Sequence, residues 1–257
     1  MSENKSRYKV ILSDVDGTIV NNEPRNRGAI ETVSRVGGHI IKKDDWNVLA
    51  GKGDSIIWEL IAKESPSLTE VFTTANTFEI ACLNEKINRI DEVQKIPEVI
   101  KAFKLFRNKD LPIAAVSNSV ANDAMASLRH VGYSEDDFIT TLFRDEVQRI
   151  GLKPKPYPDP YLEALKRVNA LLEEGALSAE TPFELIRPDQ CIVLEDSGNG
   201  VRAGLAAGMT VIQMIDESPA LDRSEIEQAK AKYNCEYHAI ERKDLLPLCK
   251  KLLAGPS

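Results

Sequence analysis

The chain has 257 residues, 42% of them hydrophobic and 28% charged, the make-up of globular material. Lys and Arg number 33 against 40 Asp and Glu, a formal charge of -7, which argues against a nucleic-acid binder with a basic face but leaves room for a locally positive site for an anionic small substrate. No apolar stretch reaches bilayer length, and residues 1–9 are polar without a signal-peptide core. Cys82, Cys191, Cys235 and Cys249 are scattered with no Cys-x-x-Cys pair, as in reduced thiols. The expected location is the cytoplasm, with no nucleic-acid or membrane partner.

In chain order, the first predicted strand is the apolar run Val10-Ile11-Leu12, which ends in Asp14-Val15-Asp16-Gly17-Thr18. Side chains alternate along an extended chain, so Asp14 and Asp16 start out on one side, and Gly17 supplies the freedom to turn. Two carboxylates so close in a cleft repel each other unless a cation or a shared proton neutralises them. Taken alone, the stretch also fits a solvated turn.

From about Asn21 to Glu92 the pattern is helical, in Ala29-Ile30, Val33 and Val36, in Ile56 to Ile61, and from Phe72 to Ile90. No convincing strand appears there. We expect a helical insertion over residues 21–95, bounded by Asn21-Asn22-Glu23-Pro24 and Lys95-Ile96-Pro97, within a core made of residues 1–20 and 96–257. Trp46 and Trp58 read as its packing residues, and Gly51-Lys52-Gly53-Asp54 as an exposed loop.

Beyond the insertion, Pro112 to Val116 leads into Ser117-Asn118-Ser119, Phe138 to Thr141 forms a shorter run, Cys191 to Leu194 leads into Glu195-Asp196-Ser197-Gly198, and Thr210 to Ile215 precedes Asp216-Glu217-Ser218. Helical patterns at Ala121 to His130, Tyr161 to Glu174 and Gly200 to Ala207 separate these runs. A helix after Asp222, a short strand at Tyr237 to Ile240, a last helix ending near Leu253 and a frayed 255–257 complete the reading. Strands alternating with helices predict an α/β fold, a doubly wound parallel sheet covered on both faces. In such sheets ligands bind beyond the carboxyl ends of the strands, where these polar residues fall. His39, His130 and His238 lie at no metal-ligand spacing.

Four motifs in order, Asp14-Val15-Asp16-Gly17-Thr18, Ser117-Asn118, Lys155-Pro156-Tyr157-Pro158-Asp159-Pro160-Tyr161 and Glu195-Asp196-Ser197 continued to Met209, resemble the haloacid dehalogenase superfamily. The resemblance runs from Val10 to about Ile215 and is nearest to the β-phosphoglucomutase-like phosphatases and mutases with a helical cap. It implies a Rossmann-like core with residues 21–95 as the cap. It also implies Asp14 as a nucleophile that forms an aspartyl-phosphate, and Asp16 as general acid and base. Mg2+ would be held by Asp14, the Asp16 carbonyl and Asp196, with Glu195 assisting directly or through water. Ser117 and Lys155 would hold phosphate oxygens, and the Asn118 amide could donate to them. Lys153-Pro154 and Lys155-Pro156 both fit the lysine signature, and the spacing to Pro158-Asp159-Pro160-Tyr161 favours Lys155. The resemblance also places a specificity loop at Gly51-Lys52-Gly53-Asp54, making Lys52 a candidate substrate contact.

Each motif alone has a bland reading: a turn at Ser117-Asn118, a stiff connector from Pro154 to Pro160, a helix cap at Glu195-Asp196. Asp16 argues against the dehalogenase and phosphonate-hydrolase branches. A sugar-phosphate mutase usually has a His in a Glu-Pro-x-His context and a cap-loop Arg, whereas this chain has Asn26 after Glu23-Pro24-Arg25 and Lys52. The expectation is a Mg2+-dependent phosphomonoesterase acting on a small phosphorylated metabolite, of sugar-phosphate or phosphoglycolate type. The alternatives are a mutase, a phosphorylatable receiver-type module, which would be about half as long, and an inactive scaffold.

Overall fold

All four residues of β1 (Val10–Ser13) are buried, which is why Val10, Ile11 and Leu12 run apolar without alternation: a parallel strand covered on both faces has no solvent side to mark with polar residues. The computed structural model describes residues 6–49, 52–175, 184–216, 220–233 and 235–254. Gly51, Glu217, Ser218 and residues 255–257 of the reading above lie outside them. The other strands are β2 (Val20–Asn21), β3 (Gln94–Lys95), β4 (Ile113–Val116), β5 (Thr140–Leu142), β6 (Cys191–Glu195), β7 (Thr210–Met214) and β8 (Tyr237–Ile240). Six of them form one sheet in the order β5-β4-β1-β6-β7-β8, every pairing parallel, while β2 and β3 form a two-stranded sheet.

Leu12 of β1 sits in register between Ala114 of β4 and Val193 of β6. The chain winds outward from β1 to β4 and β5, then returns to β6 and winds the other way. The carboxyl ends of β1, β4 and β6 therefore meet at the switch point of a doubly wound sheet, the place where such folds bind ligands. Between the strands run the helices Pro97–Arg107, Ala121–His130, Asp159–Glu173 and Gly198–Ala206, with Leu245–Leu253 closing the chain. The core packs Val10, Leu12, Val116, Leu142, Val193 and Val211 against Tyr161, Leu165 and Val201.

The chain divides into two compact units, Met1–Val20 with Lys95–Ser257, and Asn21–Gln94. The second is built from the helices Glu23–Val36, Trp46–Leu49, Asp54–Ile61, Pro66–Val71 and Ala75–Asn88. Its own core contains Ile30, Val33, Trp46, Ile57, Leu68, Phe72 and Phe78, the two phenylalanines edge to face at 5.4 Å. Trp58 packs partly buried against that core.

Two predicted elements start later than expected. The helix expected from Phe72 begins at Ala75 and runs to Asn88, because Thr74 caps it: its hydroxyl accepts from the Thr77 N–H at 3.2 Å, a side-chain bond that favours a helix start over helix continuation. The strand expected from Phe138 begins at Thr140, since Phe138 closes a 3-10 turn and points its ring at Phe103 and Tyr133. No described helix is long and apolar enough to cross a membrane.

Candidate active site

Three strand ends deliver the site. Asp14 follows β1, its N–H bonded to the Leu194 carbonyl at 2.9 Å. Ser117 follows β4, its N–H bonded to the Leu142 carbonyl at 3.0 Å. Glu195 is the last residue of β6 and Asp196 the next. Sheet register alone thus brings together residues 181 positions apart, Asp14 and Glu195.

Lys155 lies in a turn before the helix Asp159–Glu173, where the Tyr157 N–H bonds to the Pro154 carbonyl at 3.1 Å, rather than in the extended connector expected from Pro154 to Pro160, and it is buried. Its Nζ donates to Asp14 Oδ1 at 2.7 Å, to Glu195 Oε1 at 2.6 Å and to the Val116 carbonyl at 2.8 Å. The Asn118 side chain grips the Lys155 backbone from both sides, accepting from its N–H at 3.1 Å and donating to its carbonyl at 3.0 Å. Lys153, by contrast, is exposed, its ammonium 4.6 Å from the centre of the Tyr157 ring.

Burial opposes the charge on Lys155, but the attraction of Asp14 and Glu195 outweighs it and holds the ammonium above its ordinary range. Burial, with repulsion from Glu195, pushes the Asp14 carboxyl well above the usual carboxylate range, Lys155 pulling the other way. The same two causes push Asp196 up to about 8. One ammonium is therefore set against a crowd of carboxylates that resist ionising together.

Carboxylate oxygens of Asp14, Glu195 and Asp196 lie within 4.8 Å of one another. Clustered hard oxygens carrying more negative charge than the nearby lysine balances suit a divalent cation such as Mg2+. Asp16 is not in that trio. Its Oδ2 accepts from the Ser117 hydroxyl at 2.7 Å, and the Ser117 oxygen accepts from the Ser119 N–H at 2.9 Å.

Two glycines allow the loops to close. Gly17 has φ +80, and a Cβ there would lie 2.1 Å from Asp196 Oδ2. A Cβ on Gly200 would lie 1.7 Å from Glu195 Oε1. The cap of the helix Gly198–Ala206 is Ser197, whose hydroxyl accepts from the Gly200 N–H at 3.1 Å and donates to Glu195 Oε2 at 3.1 Å.

The haloacid dehalogenase-like hydrolase model matches residues 8–208. The chain belongs to this family. It is 27% identical over 81% of its length to the fructose-1-phosphate phosphatase YqaB of Escherichia coli, covering 97% of that protein. It is 28% identical over 81% of its length to a bifunctional riboflavin kinase/FMN phosphatase of Arabidopsis thaliana, of which it spans 48%. Among solved structures it resembles a β-phosphoglucomutase from Clostridium difficile, with TM-score 0.67 and 17% identity, covering 96% of this chain and 97% of that one. That likeness establishes the shared fold.

Within this haloacid dehalogenase-like core the structure brings Asp14, Asp16, Ser117, Asn118, Lys155, Glu195 and Asp196 together at one end of the sheet. Lys52 lies in the helical unit, exposed, its N–H bonded to the Leu49 carbonyl at 3.1 Å. Tyr161 gained no role from the sequence. The buried Tyr161 hydroxyl donates to Glu195 Oε1 at 2.6 Å, and burial first, then Glu195, keeps this phenol protonated far above its ordinary range. Its signal was an inward-facing Tyr at the start of an amphipathic helix, which ordinarily marks packing.

Proposed function

We propose that the chain is a phosphomonoesterase acting on a small phosphorylated metabolite, of sugar-phosphate or phosphoglycolate type, in the cytoplasm. The observation that carries the reading is the buried Lys155 ammonium bridging Asp14 and Glu195 beside Asp196. Phosphoryl transfer needs positioning and charge neutralisation more than covalent chemistry, and this cluster supplies both. The names of the two curated relatives, phosphatases for fructose 1-phosphate and FMN, support the substrate class.

Asp14 attacks phosphorus: its oxygen forms a bond to phosphorus as the ester oxygen departs, giving an aspartyl-phosphate. Asp16 donates the proton that the leaving oxygen needs and then takes one from the water that cleaves the intermediate, restoring the Asp14 carboxylate and releasing phosphate. Ser117, now bonded to Asp16, holds that carboxyl in place and offers its hydroxyl to a phosphate oxygen. Lys155 holds a second phosphate oxygen and keeps Asp14 oriented. Asp14, Asp196, the Asp16 carbonyl and Glu195, directly or through water, would hold Mg2+. When bound, Mg2+ draws the phosphate dianion against the carboxylates and neutralises charge on the transferring group.

The helical unit serves in this reading as a cap whose loop at Lys52 selects the leaving group. Asn26 favours hydrolysis over isomerisation, because a carboxamide cannot shuttle a proton. Its Oδ1 accepts from Arg25 at 3.2 and 3.0 Å. The test is hydrolysis of an aryl phosphate with and without Mg2+, followed by a phosphometabolite panel. Mg2+-dependent release of phosphate that Asp14→Asn abolishes is the expected result. No turnover with Mg2+, or full turnover by Asp14→Asn, refutes it.

A further inference from the structure

The family match ends at residue 208, yet side chains beyond it grip two loops of the site. The Asp196 carboxylate packs against Gly17, where an added Cβ would lie 2.1 Å from its Oδ2, so the Gly17 loop abuts the side chain of a candidate metal ligand. Arg242, two residues past β8, donates from its guanidinium to the Gly17 carbonyl at 3.3 Å. Gln213 of β7 donates from its carboxamide to the Asp196 carbonyl at 3.1 Å.

Neither contact is casual. Gln213 is fully buried on a strand whose other residues include Val211, Ile212 and Met214, and a buried amide there costs free energy unless it is hydrogen-bonded. Its Oε1 accepts from the Tyr237 hydroxyl of β8 and from the Leu221 N–H, which fixes which way the carboxamide points. The Arg242 N–H donates to Asp216 Oδ2 at 2.8 Å, tying the turn after β8 to the turn after β7. The two grips therefore share one frame.

We infer that Gln213 and Arg242 are positioning residues, a C-terminal clamp that holds the Gly17 and Asp196 loops at the separation the metal and phosphate need. The clamp rests on the phosphatase reading above. It acts through backbone carbonyls and touches no reacting atom, so its effect falls on Mg2+ affinity and kcat before KM.

Gln213→Met, Arg242→Met and Tyr237→Phe test it in the full chain, with Mg2+ dissociation measured by calorimetry and hydrolysis of an aryl phosphate measured alongside. Gln213→Met and Arg242→Met should each weaken Mg2+ binding about tenfold, in the range seen when groups that orient metal ligands are lost. They should also lower kcat with KM within about twofold. Tyr237→Phe removes one hydroxyl and should show a smaller shift in the same direction, and Arg242→Lys should recover part of the loss. Wild-type Mg2+ affinity and kcat in folded Gln213→Met and Arg242→Met, with only a lowered melting temperature, would reduce the clamp to ordinary packing and overturn it. If the wild type hydrolyses no phosphate ester while the variants still bind Mg2+ more weakly, the phosphatase reading fails and the clamp stands.

Discussion

Lys155 Nζ and Asp14 Oδ1 meet at 2.7 Å with both side chains nearly out of solvent. A buried pair of this kind adds little by itself to stability, but removing one partner leaves a charge with no compensation. Lys155→Met should therefore cost about 3 kcal/mol in urea unfolding and abolish phosphate release. Lys153→Ala, which loses only an exposed contact to Tyr157, should keep both near wild type. Equal loss of activity in the two variants would refute the assignment of Lys155 to the site.

Gly200→Ala inverts an ordinary rule. Ala replacing Gly inside a helix usually stabilises by about 1 kcal/mol, and Gly200 lies inside Gly198–Ala206. Here the added methyl meets the Glu195 carboxylate, which is fully buried and bonded to Lys155, Tyr161 and Ser197. Glu195 must leave those partners, so the substitution should destabilise by about 1–3 kcal/mol, the cost of overpacking, and slow hydrolysis. A rise in melting temperature would contradict the close approach.

The carboxylate crowd fixes a pH dependence. The carboxyl of Asp196 is pushed from its ordinary 3.8 up to about 8, so it binds its proton more tightly folded than unfolded. The stability this contributes is fully present below about pH 4 and is lost as pH rises through about 8. In EDTA this group should make the melting temperature fall across that window. Mg2+ binding requires the carboxylate and releases the proton, so Mg2+ affinity should climb between pH 6 and 8. Calorimetry in buffers of different ionisation enthalpy reads the released proton directly, and a flat Mg2+ affinity over that range would contradict the crowding.

The strand ends were legible because a parallel strand buried on both faces must be apolar and must stop where polar chemistry begins. Asp14, Ser117 and Glu195 each mark such a stop. The helix Pro97–Arg107 was not read from the sequence, although Pro97 at its start and Val99, Phe103 and Phe106 at helical spacing carried its signal. The choice between Lys153 and Lys155 was not legible from Lys-Pro alone. The spacing to Pro158-Asp159-Pro160-Tyr161 favoured Lys155, and the grip of Asn118 on the Lys155 backbone, across 37 residues, adds a contact that local spacing cannot express. Gln213 was hidden for the same reason. One amide in an apolar run looks like noise until the Asp196 carbonyl is placed beside it.

In the helical unit, Lys86 Nζ donates to Asp54 Oδ2 at 2.7 Å, both side chains at most 9% exposed. Asp54 opens its helix two residues after Lys52, and Lys86 lies near the end of Ala75–Asn88. The pair thus ties the first turn of one helix to the last turns of another. The neighbouring Cys82 thiol is pushed up by burial first, then by Asp54, as expected where water is scarce. Lys86→Met alone should cost about 3–5 kcal/mol, because Asp54 is left buried and charged. Asp54→Leu with Lys86→Met should recover most of that loss, since an apolar pair carries no desolvation penalty. Urea unfolding of the two variants separates these cases. A double variant no more stable than Lys86→Met alone would mean that the pair holds the helix ends by shape and not by charge.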